Sequence, residues 1–478
     1  MLFNSFVFLF AFLPATLALY FLLARVGPPR LAQAFLALAS LLFYGYWEYA
    51  PASGSGEAGR LFTYVGLLIA STSANYFVGI LLQRRPRRWL FAAGIAANLA
   101  VLAYFKYAAF GLHTLNSLPG IHLAAPAVIL PLAISFYTFT QIAFLVDASR
   151  GKASELSFPR YCLFVFFFPH LIAGPIVHHS EIMPQFALPG AKRWNSGNVA
   201  AGLCWLSVGL FKKVAIADSC APLAGVVFGD PAHTAPLAAW AGVLAYAFQL
   251  YFDFSGYSDM AIGISLFFNV RLPDNFAAPY RAASIVEFWR GWHITLSRFL
   301  RDYLYIPLGG NRHGPFRRHL NLFLTMLLGG LWHGAGWTYL LWGAFHGSLL
   351  IVCHLWQGLQ RPLPAPVARV LTFTAILIGW AIFRSKDLPH AGTLLSTLAG
   401  FSSNVLPPAR LVSPTTLIAL AGLLVFVQIA PTTKSWIEAR PLSLSRAAVA
   451  AVLFSIALVF VRNVQLQFSQ SEFIYFQF

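Results

Sequence analysis

Polarity along this chain alternates on the length scale of a bilayer. Apolar stretches at 4–24, 31–49, 61–82, 89–112, 122–147, 158–174, 198–219, 234–252, 320–331, 337–356, 366–383, 415–430 and 447–461 are separated by short polar breaks. Many of them approach the ~20 residues that a helix needs to cross hydrocarbon, and the shorter ones fit tilted or re-entrant pieces. The pattern predicts an all-α, polytopic integral membrane protein with roughly eleven to thirteen membrane helices. Two regions depart from it, about 175–197 and 271–318, where Pro175, Pro184, Pro189, Pro273, Pro279 and Pro307 interrupt the apolar or amphipathic runs. Irregular backbone at membrane depth needs protein or water around it, so these regions are expected to be re-entrant or interfacial and to line a central channel. With no internal repeat, low-complexity stretch or soluble linker, residues 1–478 read as a single transmembrane domain, with 463–478 as a C-terminal tail.

Composition agrees, since 58% of the 478 residues are hydrophobic and 10% charged, against about a quarter charged in a soluble domain. The first segment has no basic n-region and no small-residue cleavage site, so it is expected to remain as the first span. Cys162, Cys204, Cys220 and Cys353 are scattered without CxxC spacing, which indicates neither a disulfide framework nor a zinc site.

The formal charge of +17 is clustered at Arg84 to Arg88, at Arg150 with Lys152, at Lys212-Lys213 and from Arg312 to Arg318. These clusters occupy short loops between apolar runs, the positive-inside pattern, and nucleic acid is not an expected partner. Arg25, Arg30 and the Arg84 and Arg150 loops then place the N-terminus outside the cytoplasm. Lys434, Arg440 and Arg446 hold the last long loop inside, so the tail also points outward, although Arg462 lies at the far end of the last span.

Histidine is the conspicuous chemistry. Trp332-His333-Gly334 follows an apolar run, and Trp292-His293 lies in the block from Phe288 to Ser297. An ionisable ring at membrane depth is costly, and such residues mark functional sites by default. Gly329-Gly330 and Gly334-Ala-Gly336 allow close approach around His333, with Trp332 and Trp337 beside it. His346, in Phe345-His-Gly347, is assigned to packing. His178-His179-x-Glu181 has metal-like spacing, yet no carboxylate-rich cluster completes a site, so no metal is expected.

Ser284 followed by Glu287 reads as a capping box opening a helix through the second histidine. On one continuous helix, Trp289, His293, Leu296 and Leu300 share a face, while Arg290, Ile294, Arg298 and Arg301 share another. The cationic stripe is either a headgroup-facing surface or a site for an anionic substrate.

The blocks Phe288-Trp-Arg-Gly-Trp-His-Ile-Thr-Leu-Ser-Arg-Phe-Leu-Arg-Asp-Tyr-Leu-Tyr-Ile-Pro-Leu-Gly-Gly310 and Gly329-Gly-Leu-Trp-His-Gly-Ala-Gly-Trp337 resemble the signature of the membrane-bound O-acyltransferase (MBOAT) superfamily. Met1-Leu-Phe-Asn-Ser5, Pro131-Leu-Ala-Ile-Ser-Phe-Tyr-Thr-Phe139, Phe168-Pro-His-Leu-Ile-Ala-Gly-Pro175 and Asp253-Phe-Ser-Gly-Tyr-Ser-Asp259 resemble its bacterial alginate O-acetylation branch. More distantly, that branch is similar to the D-alanyl transfer protein of teichoic acid modification and to the peptidoglycan O-acetyltransferases.

The resemblance implies acyl transfer in a channel through the bacterial inner membrane, with His333 catalytic and His293 the second functional histidine. It implies a cytoplasmic thioester donor, acetyl-CoA in the acetylating branch or a carrier-protein thioester as in the D-alanyl relative, and no resident cofactor. It also implies a periplasmic acyltransferase partner that finishes the transfer to an envelope polysaccharide such as alginate, cellulose or peptidoglycan. Trp289, Trp292, Arg290, Arg298, Trp332 and Trp337 are the candidate substrate-binding side chains, and membrane lipid is the surrounding partner.

The chemistry fits. A hydroxyl attacking a thioester needs a base active near neutral pH and donors for the tetrahedral oxyanion. The base is assigned to His333, whereas His293 can orient the acceptor, donate to the oxyanion or protonate the leaving thiolate. Basic cytoplasmic loops would attract the phosphates of CoA.

The chain ends Ser471-Glu-Phe-Ile-Tyr-Phe-Gln-Phe478, which resembles a terminal aromatic motif associated with this acylation machinery. It is either an interfacial anchor or a relay, because a phenol, with a pKa of about 10, forms an aryl ester activated for onward transfer. Tyr475 is the candidate acyl carrier. A transporter or flippase with histidines along its path, or a scaffold of a polysaccharide export complex, is the alternative reading.

Overall fold

The computed structural model describes residues 2–49, 58–124, 126, 128–153, 157–188, 190, 193–401, 412–438, 443–467 and 473–474. Among them every regular element is a helix and no strand occurs. Eight helices are long and apolar enough to cross a membrane: Phe8–Val26, Tyr64–Arg84, Arg88–Asn116, Ser196–Gly229, Pro236–Phe267, Trp337–Gly358, Ala365–Arg384 and Leu444–Asn463. Pro414–Ile429 is apolar but shorter. The all-α, polytopic fold is as expected, while several expected spans are shorter than a membrane crossing.

Proline accounts for two of the shortened spans. The stretch 158–174 forms Phe158–Phe166 and Phe168–Leu171, broken at Phe167 two residues before Pro169. The stretch 122–147 becomes helical only at Ile134, after Pro126 and Pro131, and Ala133 at its start has φ +60°. The irregular backbone before it is served by tyrosines, because the hydroxyls of Tyr64 and Tyr44 donate to the carbonyls of Ile129 (2.9 Å) and Leu132 (3.0 Å). Buried backbone oxygens without water require such partners.

The chain groups into two compact units. The first comprises Met1–Leu210, Tyr257–Pro273 and Arg440–Phe476. Its core is aromatic, with Phe168 within 5.4 to 6.1 Å, centroid to centroid, of Phe8, Phe12, Phe43 and Phe268. Such pairs contribute about 0.5–1.5 kcal/mol each beyond area burial. Gly202 and Gly263 bring two backbones together, since a Cβ on either would lie 2.6 Å from the other's carbonyl oxygen. Asn75 and Asn98 exchange side-chain hydrogen bonds at 2.7 and 3.2 Å.

The second unit comprises Phe211–Gly256, Asp274–Ala439 and Gln477–Phe478. Its site-bearing helices are α1 (Pro236–Phe267, within this unit through Gly256), α2 (Ile285–Gly291), α3 (Ile294–Leu300), α4 (Gly314–His333), α5 (Trp337–Gly358) and α6 (Ala365–Arg384). A π-helical segment, Lys212–Ala217, presents buried Lys213 to Asp253 on α1 at 2.7 Å and to Asp218 at 2.9 Å. Leaving any of these charges unpaired would be strongly destabilising.

α4 and α5 form a tight hairpin because glycines face the partner backbone. A Cβ at Gly330 would sit 2.2 Å from the carbonyl oxygen of Tyr339, and one at Gly343 2.5 Å from that of Met326. By contrast, a Cβ at Gly358 would meet nothing within 4 Å. Gly330→Ala should therefore destabilise the protein by ~1–3 kcal/mol, the usual scale of overpacking. Thermal unfolding of purified protein should show a lower Tm for Gly330→Ala and an unchanged one for Gly358→Ala.

Candidate active site

The segment carrying His293 is not the single helix expected from its sequence. Ser284 Oγ accepts from the Glu287 N–H at 3.2 Å, as a cap should, while the Glu287 carboxylate reaches the Ala283 N–H at 2.8 Å. α2 then stops at Gly291, and His293 takes a left-handed conformation, φ +43° and ψ 54°, before α3 begins. The cause lies in the preceding loop. The Ala277 N–H donates to the Gly291 carbonyl at 2.9 Å, and the Ile294 N–H donates to the Asn275 carbonyl at 3.0 Å, so two backbone groups of the 291–294 turn are held by 275–277. Gly291 permits this approach, since a Cβ there would lie 2.7 Å from the Ala277 oxygen. The helical faces expected for Trp289 with His293, and for Arg290 with Arg298, are consequently out of register.

A non-glycine residue at positive φ costs of order 1–3 kcal/mol and persists where the surroundings over-determine it. Here they do. His293 is fully buried, its Nδ1 lies 3.1 Å from Asn275 Oδ1, and the same oxygen accepts from the N–H (3.3 Å) and hydroxyl (2.9 Å) of Thr295. Phe254 on α1, next to the ion-paired Asp253, meets the imidazole edge-on at 4.7 Å.

His333 is the last residue of α4 and is buried. Gly334 follows because the Tyr339 ring occupies the space of a side chain there, 2.1 Å from where its Cβ would stand. Trp332, Trp342 and Phe383 surround the imidazole at 5.0, 5.2 and 5.4 Å. Trp332 also lies 6.3 Å from the ring of His293, so one indole borders both histidines.

The other expected residues divide. Trp292 is buried in the aromatic core, stacked on Phe288 at 5.7 Å and 4.9 Å from Trp380. Trp289 packs against Trp342 at 5.7 Å, Arg298 is half-buried, Arg290 is exposed, and Trp337 is 51% exposed at the start of α5. Tyr475 lies outside the described residues. Its neighbours Phe473 and Ile474 are buried, and Phe473 packs on Tyr257 at 4.8 Å within the first unit. His178 and His179 open a helix whose first turn Glu181 caps, and His179 Nδ1 lies 3.4 Å from Asp147 Oδ2.

His346, assigned to packing from its sequence, is fully buried between Trp342 at 4.8 Å and Trp289 at 5.3 Å. One residue bonded to His293 escaped the sequence reading. Asn275 gave no signal, because a hydrogen bond across 18 positions has no local pattern. The assembled site offers two buried imidazoles around one indole, a setting suited to proton transfer shielded from water.

Comparison with known proteins places this geometry. The profile of the MBOAT, membrane-bound O-acyltransferase family matches residues 130–383, which include both histidines. A peptidoglycan O-acetyltransferase of Helicobacter pylori is 44% identical over 437 residues, covering 84% of this chain and 80% of its own. A protein named "Probable alginate O-acetylase AlgI" from Azotobacter vinelandii is 39% identical over 464 residues, 93% of this chain and 87% of its own. A teichoic acid D-alanyltransferase of Bacillus subtilis is 26% identical over 327 residues, covering 64% of this chain and 81% of its own. The chain is a multi-pass membrane acyltransferase and belongs to the membrane-bound O-acyltransferase family.

Proposed function

We propose that this protein is an O-acetyltransferase that takes an acetyl group from acetyl-CoA at the cytoplasmic face and passes it across the inner membrane for O-acetylation of an extracytoplasmic polysaccharide. The observation that carries the reading is the pairing of His333 and His293 around Trp332 inside the matched family region. The relatives named for acetylation of peptidoglycan and alginate cover four-fifths or more of this chain and support acetyl as the group and an envelope glycan as its destination. A transporter or scaffold would have no use for a paired-imidazole site in an acyltransferase fold.

In the proposed reaction the acceptor hydroxyl attacks the thioester carbonyl, the C–O bond forms and the C–S bond breaks. His333 takes the hydroxyl proton, which ends on the departing thiolate as the CoA thiol. Trp332, Trp342 and Phe383 exclude water, which would otherwise hydrolyse the thioester. Arg312, Arg317 and the neighbouring Arg318 sit in the exposed turn before α4 and in its first turns, where they would draw in the phosphates of CoA. Both termini face outward in this reading. Tyr475 carries the acetyl group as an aryl ester to a periplasmic acyltransferase, which completes the transfer.

Three outcomes test the reading. His333→Ala should leave folded protein in the membrane and lower acetyl transfer by about 10² or more, the scale of losing a general base. Near wild-type turnover of purified His333→Ala contradicts it. Replacing Arg312, Arg317 and Arg318 together by Ala should raise KM for acetyl-CoA by about tenfold with kcat little changed, an effect that shrinks as salt is added. Tyr475→Phe should abolish polymer acetylation at normal abundance, and mass spectrometry of the C-terminal peptide should find acetyl on Tyr475 only when His333 is present. Full polymer acetylation by Tyr475→Phe returns this tyrosine to an anchoring role.

A further inference from the structure

The hydrogen bonds around Asn275 fix which nitrogen of His293 carries its proton. Oxygen and nitrogen of an Asn amide are told apart by their partners. The Thr295 backbone N–H is a donor and nothing else, and it points to Asn275 Oδ1 at 3.3 Å, so that atom is the carbonyl oxygen. The Thr295 hydroxyl donates to the same oxygen at 2.9 Å. His293 Nδ1, 3.1 Å from an atom that only accepts, must therefore supply the hydrogen. In a neutral imidazole the other nitrogen then bears the lone pair.

The backbone holds this arrangement in place. The carbonyl of Asn275 accepts from the Ile294 N–H at 3.0 Å, so Asn275 grips the two residues after His293 through its main chain and its side chain, while the Ala277 N–H holds the Gly291 carbonyl before it. Asn275 and Thr295 are both about 1% exposed, and His293 is fully buried. A bare Nδ1 would face the lone pairs of that oxygen, and turning the amide over to offer its NH2 instead would set it against the Thr295 N–H, a cost of about 1–3 kcal/mol per unsatisfied buried group.

We propose that Asn275 is a positioning residue that locks His293 with hydrogen on Nδ1, so that its Nε2 meets substrate as an acceptor and takes a hydrogen bond from a hydroxyl of the bound acyl acceptor. The lock discriminates among the roles open to this histidine. A resting ring with a bare Nε2 has no hydrogen there for an oxyanion or a leaving thiolate, whereas it is suited to holding a hydroxyl. The neighbouring charges are already matched: Asp253, beside Phe254, is paired with Lys213, and Asp274, beside Asn275, with Lys434. His333, across Trp332, is a further titratable neighbour. The kinetic part rests on the acyl-transfer reading, while the tautomer itself does not.

The test replaces Asn275 in the full-length purified protein. Asn275→Asp keeps an oxygen for all three donors and adds a negative charge beside Nδ1–H, which favours the protonated ring and moves a paired group by about 1–3 pH units. In 15N spectra of the histidine-labelled variant, the pH at which Nε2 of His293 gains a hydrogen should rise by at least about 1 unit over the wild type. Asn275→Ala releases the ring, and its kcat should fall at least about tenfold with KM for acetyl-CoA little changed. Should Asn275→Ala not accumulate, the Asp variant, which retains the acceptors, still decides. Independently of activity, 15N spectra of histidine-labelled protein, with His293→Gln to identify the signal, should show a protonated Nδ1 and a bare Nε2. An unmoved protonation of His293 in Asn275→Asp, or a protonated Nε2 in the wild-type spectra, overturns the proposal. Failure of the wild type to transfer acetyl would instead count against the enzymatic reading and leave the spectra to judge the lock.

Discussion

A chain this apolar gives its polar groups no water to fall back on, so each irregular piece of backbone near the histidines must find its partners inside the protein. The turn at 291–294 depends on that constraint. Its carbonyl and amide are taken by Ala277 and Asn275, and Asn275 spends its side-chain oxygen on His293 and Thr295. Because those bonds are made together, a histidine can sit at φ +43° with its ring fully buried. A continuous helix would satisfy the same backbone groups locally but would give up the contact with Asn275. The loop before α2 is thus as much a part of the site as the histidine it supports.

Around the second histidine, space sets the geometry. Gly330 and Gly343 let α4 and α5 run close together, and Gly334 lets the Tyr339 ring close over the end of α4. Aromatic rings then fill the volume around His333. Interfaces between membrane helices are stabilised mainly by such packing, because lipid tails leave little hydrophobic difference to exploit. The outcome is one imidazole bonded to a loop amide and another enclosed by aromatic rings, bordered by the same indole. That asymmetry suits a reaction in which one ring moves a proton while the other holds a reactant.

The helical membrane fold was legible because apolar runs of bilayer length mark it, and the burial of both histidines because each follows a tryptophan near glycines. The Ser284 cap was also local, and it formed. The continuous helix beyond it did not, since what interrupts α2 is Ala277, 14 residues upstream, pairing with Gly291, and no spacing within 284–301 encodes that. Asn275 was hidden for the same reason. His346, read as a packing residue from its small-residue setting, is packed between Trp342 and Trp289. Spans such as 158–174 were overcounted because composition sets hydropathy while Pro169 sets where the helix ends.

The central claim is that acetyl crosses the membrane through this protein while its donor does not. Purified protein oriented in sealed vesicles, with radiolabelled acetyl-CoA confined to the face bearing the Arg312–Arg318 turn and a soluble glycan acceptor with the periplasmic acyltransferase confined to the other, separates the two compartments directly. The account predicts labelled ester on the far side, free CoA retained on the near side, and no label across the membrane with His333→Ala. Intact labelled acetyl-CoA appearing beside the acceptor, or transfer occurring only when donor and acceptor share one compartment, would contradict it.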